Sequence, residues 1–119
     1  MALLMTRTGL VFLALAIICG AFGAHGLESM ATAEGVETWE IAVRYQAWMS
    51  LLMVGLGVSS FRVSSWAFWL VCSGMLVFSG SLYVLVLLDL GILGAVAPVG
   101  GALMIAGLLL SAISLKHLD

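Results

Sequence analysis

Charge is what this sequence has least of. Of 119 residues, four are Lys or Arg and six are Asp or Glu, 8% in all, against about a quarter in soluble domains. Four basic residues and a net charge of −2 leave no cationic footprint for nucleic acid, which is excluded as a partner. There is one proline and no Ser/Pro/Gly-rich or charged tract, hence no linker, and residues 1–119 read as a single domain. The two cysteines, Cys19 and Cys72, have no paired or CxxC spacing that would point to zinc, a redox couple or a disulfide framework, and read as free apolar thiols. No metal, cofactor or catalytic residue is expected. What is present in excess is apolar surface, 64% of the residues, and that composition names a lipid bilayer as the solvent.

The charged residues are Arg7, Glu28, Glu34, Glu37, Glu40, Arg44, Arg62, Asp89, Lys116 and Asp119, and they leave four uncharged intervals, 8–27, 45–61, 63–88 and 90–115. A helix rising about 1.5 Å per residue crosses a hydrocarbon core about 30 Å thick in roughly 20 residues. The expected fold is therefore all-α, a four-helix transmembrane bundle with helices near 6–25, 37–61, 64–88 and 92–116. The second is extended backwards through Trp39, Ile41, Ala42 and Val43, with Arg44 bending towards the headgroups. Unbroken apolar runs rule out a barrel strand. Arg7 followed by an apolar run and Gly20, Ala21, Gly23 and Ala24 also resembles a cleavable signal. The expectation is a retained first helix; Ile18 before Cys19 does not fit a lipoprotein site. An even number of crossings puts Arg7, Arg62 and Lys116 on one side, and the positive-inside bias makes that side cytoplasmic, with both termini. The segment His25–Glu37, with Leu27, Met30 and Val36 among Glu28 and Glu34, is expected to lie amphipathically on the opposite surface, with Trp39 in the interfacial aromatic belt.

Helices in lipid gain little from burial against one another, so small residues must allow close approach. The expected stripes are Ala16, Gly20 and Ala24 in helix one, with Gly23 nearby; Gln46, Ser50 and Gly57 in helix two; Ser73 with Gly80 and Gly74 with Ser81 in helix three; and Gly100, Gly107 and Ser114 in helix four. Pro98, Gly100 and Gly101 fall near the start of helix four, where the proline belongs in a first turn or a kink. No Asp, Glu, Lys or Arg sits deep in a span, which argues against a proton relay or an ion-coupled transporter. The polar residues gather towards the outer boundary as a candidate ligand or partner contact: His25, Glu37, Glu40, Arg44, Gln46, Ser79, Ser81 and Tyr83. Glu37, Glu40 and Arg44 share a helix face, readable as a structural ion pair or as a headgroup or partner contact. Gln46, Ser79 and Tyr83 are readable as interhelical glue or as the wall of a small pocket. His25 and His117 are too far apart to assemble a catalytic or metal site.

Four phrases in register, Gly20-Ala21-Phe22-Gly23-Ala24-His25-Gly26-Leu27, Val43-Arg44-Tyr45-Gln46, Phe78-Ser79-Gly80-Ser81-Leu82-Tyr83 and Pro98-Val99-Gly100-Gly101, resemble the small bacterial inner-membrane proteins of the YgdD type. That is a domain-of-unknown-function family with relatives in animal mitochondria, and the resemblance covers nearly the whole chain. It implies a four-helix membrane protein without an established activity, in the bacterial cytoplasmic membrane or, alternatively, the mitochondrial inner membrane. Family members often carry His where this chain has Met49, Thr at Ala97 and Gly-Trp near Ala106 and Gly107; chemistry resting on that histidine is absent here. The expected function is a non-enzymatic accessory, assembly or scaffold component whose partners are membrane lipids and other membrane subunits or further copies of itself. The alternative is an oligomeric carrier, pore or binding protein for a small or lipophilic molecule.

Overall fold

The computed structural model describes residues 1–118; Asp119 lies outside them. Four helices, α1 (Ala2–His25), α2 (Ala33–Val58), α3 (Ser65–Leu88) and α4 (Ala97–Ser114), run up and down in turn, and each of the four apolar segments is long enough to cross a membrane. The helix starts follow from caps that hydropathy does not mark. Thr32 accepts the Gly35 N–H at 3.0 Å, and Glu34 sits at the positive end of the helix dipole, so α2 begins at Ala33 rather than near Glu37. Ser64 caps α3 by accepting the Trp66 N–H, and α3 stops at Asp89, whose φ of 52° is left-handed. The glycine-bearing stretch Gly91–Ala95 tightens into a 3-10 turn, and α4 starts later than expected, with Pro98 in its first turn. The expected amphipathic segment shrinks to a 3-10 turn, Leu27–Ser29, with Leu27 buried and Met30 exposed.

Helix two ends at Val58 because the chain then turns extended to form β1 (Phe61–Arg62), which pairs antiparallel with β2 (Lys116–His117). The Leu118 N–H donates to Ser60 O at 2.9 Å, and the Ser64 N–H to Ser114 Oγ at 2.9 Å. This clasp fastens the end of α4 to the loop between α2 and α3.

Packing follows chain order, α1 on α2, α2 on α3 and α3 on α4, with the α2·α3 seam the thinnest. Glycines set the two close pairs. A methyl at Gly9 would strike Ser50 O and Val54, one at Gly57 would strike Ala2 O and Thr6, and one at Gly23 would strike the Trp39 indole. Between α3 and α4, Gly74 faces Met104 N and Gly100 O, Gly100 faces Phe78 and Gly74 main chain, and Gly107 faces Val71. The packing stripe of α1 is thus Gly9, Ala16 and Gly23, spaced by seven and all buried; Ala24 is exposed and Gly20 only brushes Val43. Other expected packing positions need correction. Gly80 has nothing within 4 Å of its would-be Cβ, Gly101 has one ordinary contact at 3.9 Å, and Pro98 and Ser73 are exposed. A seven-residue repeat keeps one seam facing its partner along two nearly parallel helices, whereas positions four apart drift off it. Met5, Met49, Met53, Phe68, Val71, Cys72, Met75 and Met104 fill the interior, the flexible thioethers taking up the irregular gaps.

Candidate functional site

The polar groups of the interior meet where α1, α2 and α3 come together. Gln46, halfway along α2, donates through Nε2 to Phe12 O of α1 at 2.8 Å and accepts the Tyr83 hydroxyl of α3 on Oε1 at 2.6 Å. One amide thereby ties three helices. Ser50, one turn on, donates to Gln46 O at 2.6 Å and lies 3.6 Å from Met75 Sδ. Ser79 crosses the α2·α3 seam to donate to Ala42 O at 2.7 Å. Such links cost a helix little, because a main-chain carbonyl keeps a second lone pair after its own helical bond. No buried side-chain N or O among the described residues lacks a partner, as a medium without water demands.

Trp39 completes the group from the outer end. It is 4% exposed, so the expected position in an aromatic belt is corrected: its ring sits between α1 and α3. Nε1 donates to Cys19 O at 2.8 Å, and the ring meets Phe22 edge-on at 5.5 Å and Tyr83 at 4.5 Å between centroids. Gly23, lacking a side chain, makes the space for the indole. The exposed tryptophans at the beginning of α3, Trp66 and Trp69, are positioned as belt residues at the other membrane boundary.

Beside these bonds, Phe12, Leu15, Cys19, Leu76, Gly80 and Tyr83 line most of a cavity of about 250 Å³ that opens sideways between α1 and α3, with Gln46 and Ser79 at its back. Its wall is overwhelmingly hydrocarbon, and the amide, phenol and hydroxyl behind it are engaged with one another or with main chain. An apolar ligand fits such a site by shape. Ser79 and Ser50 give their protons to carbonyls, and no imidazole or carboxylate stands beside them to act as a base.

The structure therefore brings together Gln46, Ser79 and Tyr83 out of the expected polar group. Ser81 turns back to its own helix, donating to Phe78 O at 2.9 Å. His25, Glu37 and Glu40 are exposed at the outer end, and Arg44, also exposed, lies further in along α2, two residues from Gln46; none of the four lines the cavity. Glu37, Glu40 and Arg44 are all exposed on α2, where an ion pair four residues apart is worth only about 0.3–0.5 kcal/mol. Phe12, Cys19 and Trp39 are additions to the expected site. Two of them contribute main-chain carbonyls, which leave no mark in a sequence, and the third could be found from its seven-residue spacing to Gln46.

Comparison with known proteins sets this geometry in context. The family model described as protein of unknown function (DUF423) matches residues 19–101, a stretch holding Trp39, Gln46, Ser79 and Tyr83. The chain is similar to a UPF0382 membrane protein of Staphylococcus haemolyticus, 48% identical over 98 residues and covering 80% of each chain. It is also similar to UPF0382 membrane proteins of Staphylococcus saprophyticus, at 42% over 81% of this chain and 82% of the relative, and of Staphylococcus epidermidis, at 45% over 84% of each. No solved structure matches.

Proposed function

The chain belongs to the DUF423 family of proteins of unknown function, and on that premise we propose that it is a non-enzymatic accessory or assembly component of a membrane complex. The observation that carries this reading is the completeness of the interior. Every buried polar side chain described has a partner inside the chain, and the closest-packed glycines are filled by neighbouring helices. That is the construction of a rigid body that presents fixed outer faces, with no ionised side chain buried among the described residues to carry a proton or an ion through the interior. Partner subunits, or further copies, meet it on those lipid-facing sides. Arg7, Arg62 and Lys116 at the end shared by both termini support a cytoplasmic location for that end, in the membrane of a bacterium, in keeping with relatives that are bacterial membrane proteins. Extraction in mild detergent followed by intact-mass measurement tests the reading: a reproducible heteromeric or homomeric assembly is expected, and a lone chain carrying one tightly held lipophile counts against it.

The sideways cavity favours a second reading, binding of an apolar small molecule. Gly80→Leu distinguishes the two, because nothing lies within 4 Å of that Cβ position and the added side chain would fill the cavity. Loss of a co-purifying lipophile with the assembly intact supports binding; an unchanged complement of both supports the accessory role.

A further inference from the structure

The clasp at the terminal end contains an arrangement that packing does not explain. Its register sets Arg62 directly opposite Lys116, so two cationic side chains leave one face of the ladder about 5 Å apart, a placement that is destabilising between like charges. Both are exposed. The described carboxylates offer no relief: Glu28, Glu34, Glu37, Glu40 and Asp89 all lie in the loops or first helical turns of the opposite end. The two cations border an open cleft of about 390 Å³ that is also lined by Met1, Val63, Ser64, Ser65 and Ser114. Ser65 is the first residue of α3, whose dipole adds positive potential at the cleft, while the Ser64, Trp66 and Ala67 N–H groups are already bonded within the chain. Around the cleft the surface turns apolar and aromatic: Trp66 is 71% exposed, Trp69 51% and Leu118 50%, the composition of a segment lying at the level of lipid headgroups.

We propose that this cleft is a binding site for the phosphodiester headgroup of an anionic phospholipid, with Arg62 and Lys116 holding the phosphate from one side and the exposed Ser65 hydroxyl meeting it from the other. The anion relieves the repulsion across the ladder. The acyl chains then run down beside Trp66 and Trp69. A phosphodiester suits the site because it offers several acceptor oxygens to donors that diverge in direction, and guanidinium pairs with phosphate in a fork. Free phosphate shares the charge but not the hydrocarbon, and the aromatic surround favours the lipid. The site is distinct from the cavity behind Gln46 and does not depend on which function that cavity serves.

The full chain is reconstituted in phosphatidylcholine vesicles with and without phosphatidylglycerol, then extracted gently for native mass measurement of retained lipid and for thermal unfolding. Selective retention of phosphatidylglycerol and a higher melting temperature in its presence are expected. Arg62→Gln and Lys116→Gln should each weaken that retention about fivefold, the worth of one basic residue near an anionic surface. Arg62→Lys and Lys116→Arg should preserve it, and Arg7→Gln, a cation of the same end outside the cleft, should leave it unchanged. Equal retention of the two lipids overturns the proposal, as does an Arg7→Gln effect as large as the others. A melting rise reproduced in full by inorganic phosphate makes the ligand a free anion and overturns the assignment to lipid. Glutamine variants that melt lower in phosphatidylcholine without any change in lipid selectivity show the cations to be structural and overturn it equally.

Discussion

Two glycines on opposite sides of the same argument give the sharpest test of how this protein is held together. At Gly100 a methyl group would meet Phe78 N, Phe78 Cα at 2.7 Å and Gly74 O at 2.8 Å. All three are main-chain atoms, which cannot rotate aside. Bringing even the 2.7 Å contact to the 3.4 Å at which ordinary contact begins requires α3 and α4 to part by at least 0.7 Å, the difference of the two, because Phe78 N lies closer still. A gap of 0.5–1 Å forfeits roughly a quarter to a half of each dispersion contact it opens, and overpacking of this kind costs about 1–3 kcal/mol. The gain in helix propensity from Gly to Ala, about 1 kcal/mol at most, offsets only part of that. Gly100→Ala should therefore destabilise by about 2 kcal/mol. At Gly80, where nothing lies within 4 Å, the same change has the propensity gain and no clash, and should be neutral or stabilising by up to about 1 kcal/mol. Reversible unfolding in mixed micelles with increasing denaturing detergent, followed by helical circular dichroism, reads both. A Gly100→Ala protein as stable as the parent, or a Gly80→Ala protein that falls as far, would refute the reasoning.

Other predictions rest on separate features. Gln46→Leu removes the bonds to Phe12 O and Tyr83 Oη and should cost about 1–2 kcal/mol, while Tyr83→Phe should cost about 0.6 kcal/mol, the average for an interhelical bond in lipid. In a double-mutant cycle the two losses should sum to more than the combined variant shows; strict additivity would mean that the amide and phenol do not interact. Asp89→Gly relieves a left-handed φ of 52° and should stabilise by up to about 1 kcal/mol, a reading that a lowered unfolding midpoint would dismiss. Finally, a cysteine placed at Leu118 should resist an impermeant thiol reagent in intact cells, and ready labelling would invert the orientation.

The four spans are legible because charges are the costliest residues in hydrocarbon, and the stretches between them measure out the membrane directly. Their ends are less so. Nothing in hydropathy reveals that Thr32 caps α2 or that Gly91 and Gly94 tighten a turn before α4. The stripe through Gly100 and Gly107 can be read because its seven-residue spacing tracks one seam. In α1 the four-spaced Ala16, Gly20 and Ala24 suggest a stripe of their own, whereas the seam passes through Gly9, Ala16 and Gly23. Within the candidate site, Gln46, Ser79 and Tyr83 stand out as polar groups in oil, but their acceptors are largely carbonyl oxygens of Phe12 and Ala42, and any residue type supplies one. Trp39 reads as an interfacial anchor because a buried and a boundary tryptophan have the same sequence signature. The clasp is invisible for a simpler reason: two residues on each strand are too few to show any period.

The thin seam between α2 and α3 makes the molecule a pair of hairpins joined in two different ways. Within each hairpin close steric fit dominates, as at Gly9 and Gly100, with the bonds of Gln46 to Phe12 O and Trp39 to Cys19 O added in the first. Across the join it is directional, carried by Ser79 and Tyr83. Water or a polar solubiliser competes for directional bonds and not for shape, so a harsh extraction medium reaches the join first. The thinnest join of the molecule is thus the one that Ser79 and Tyr83 cross with polar side chains.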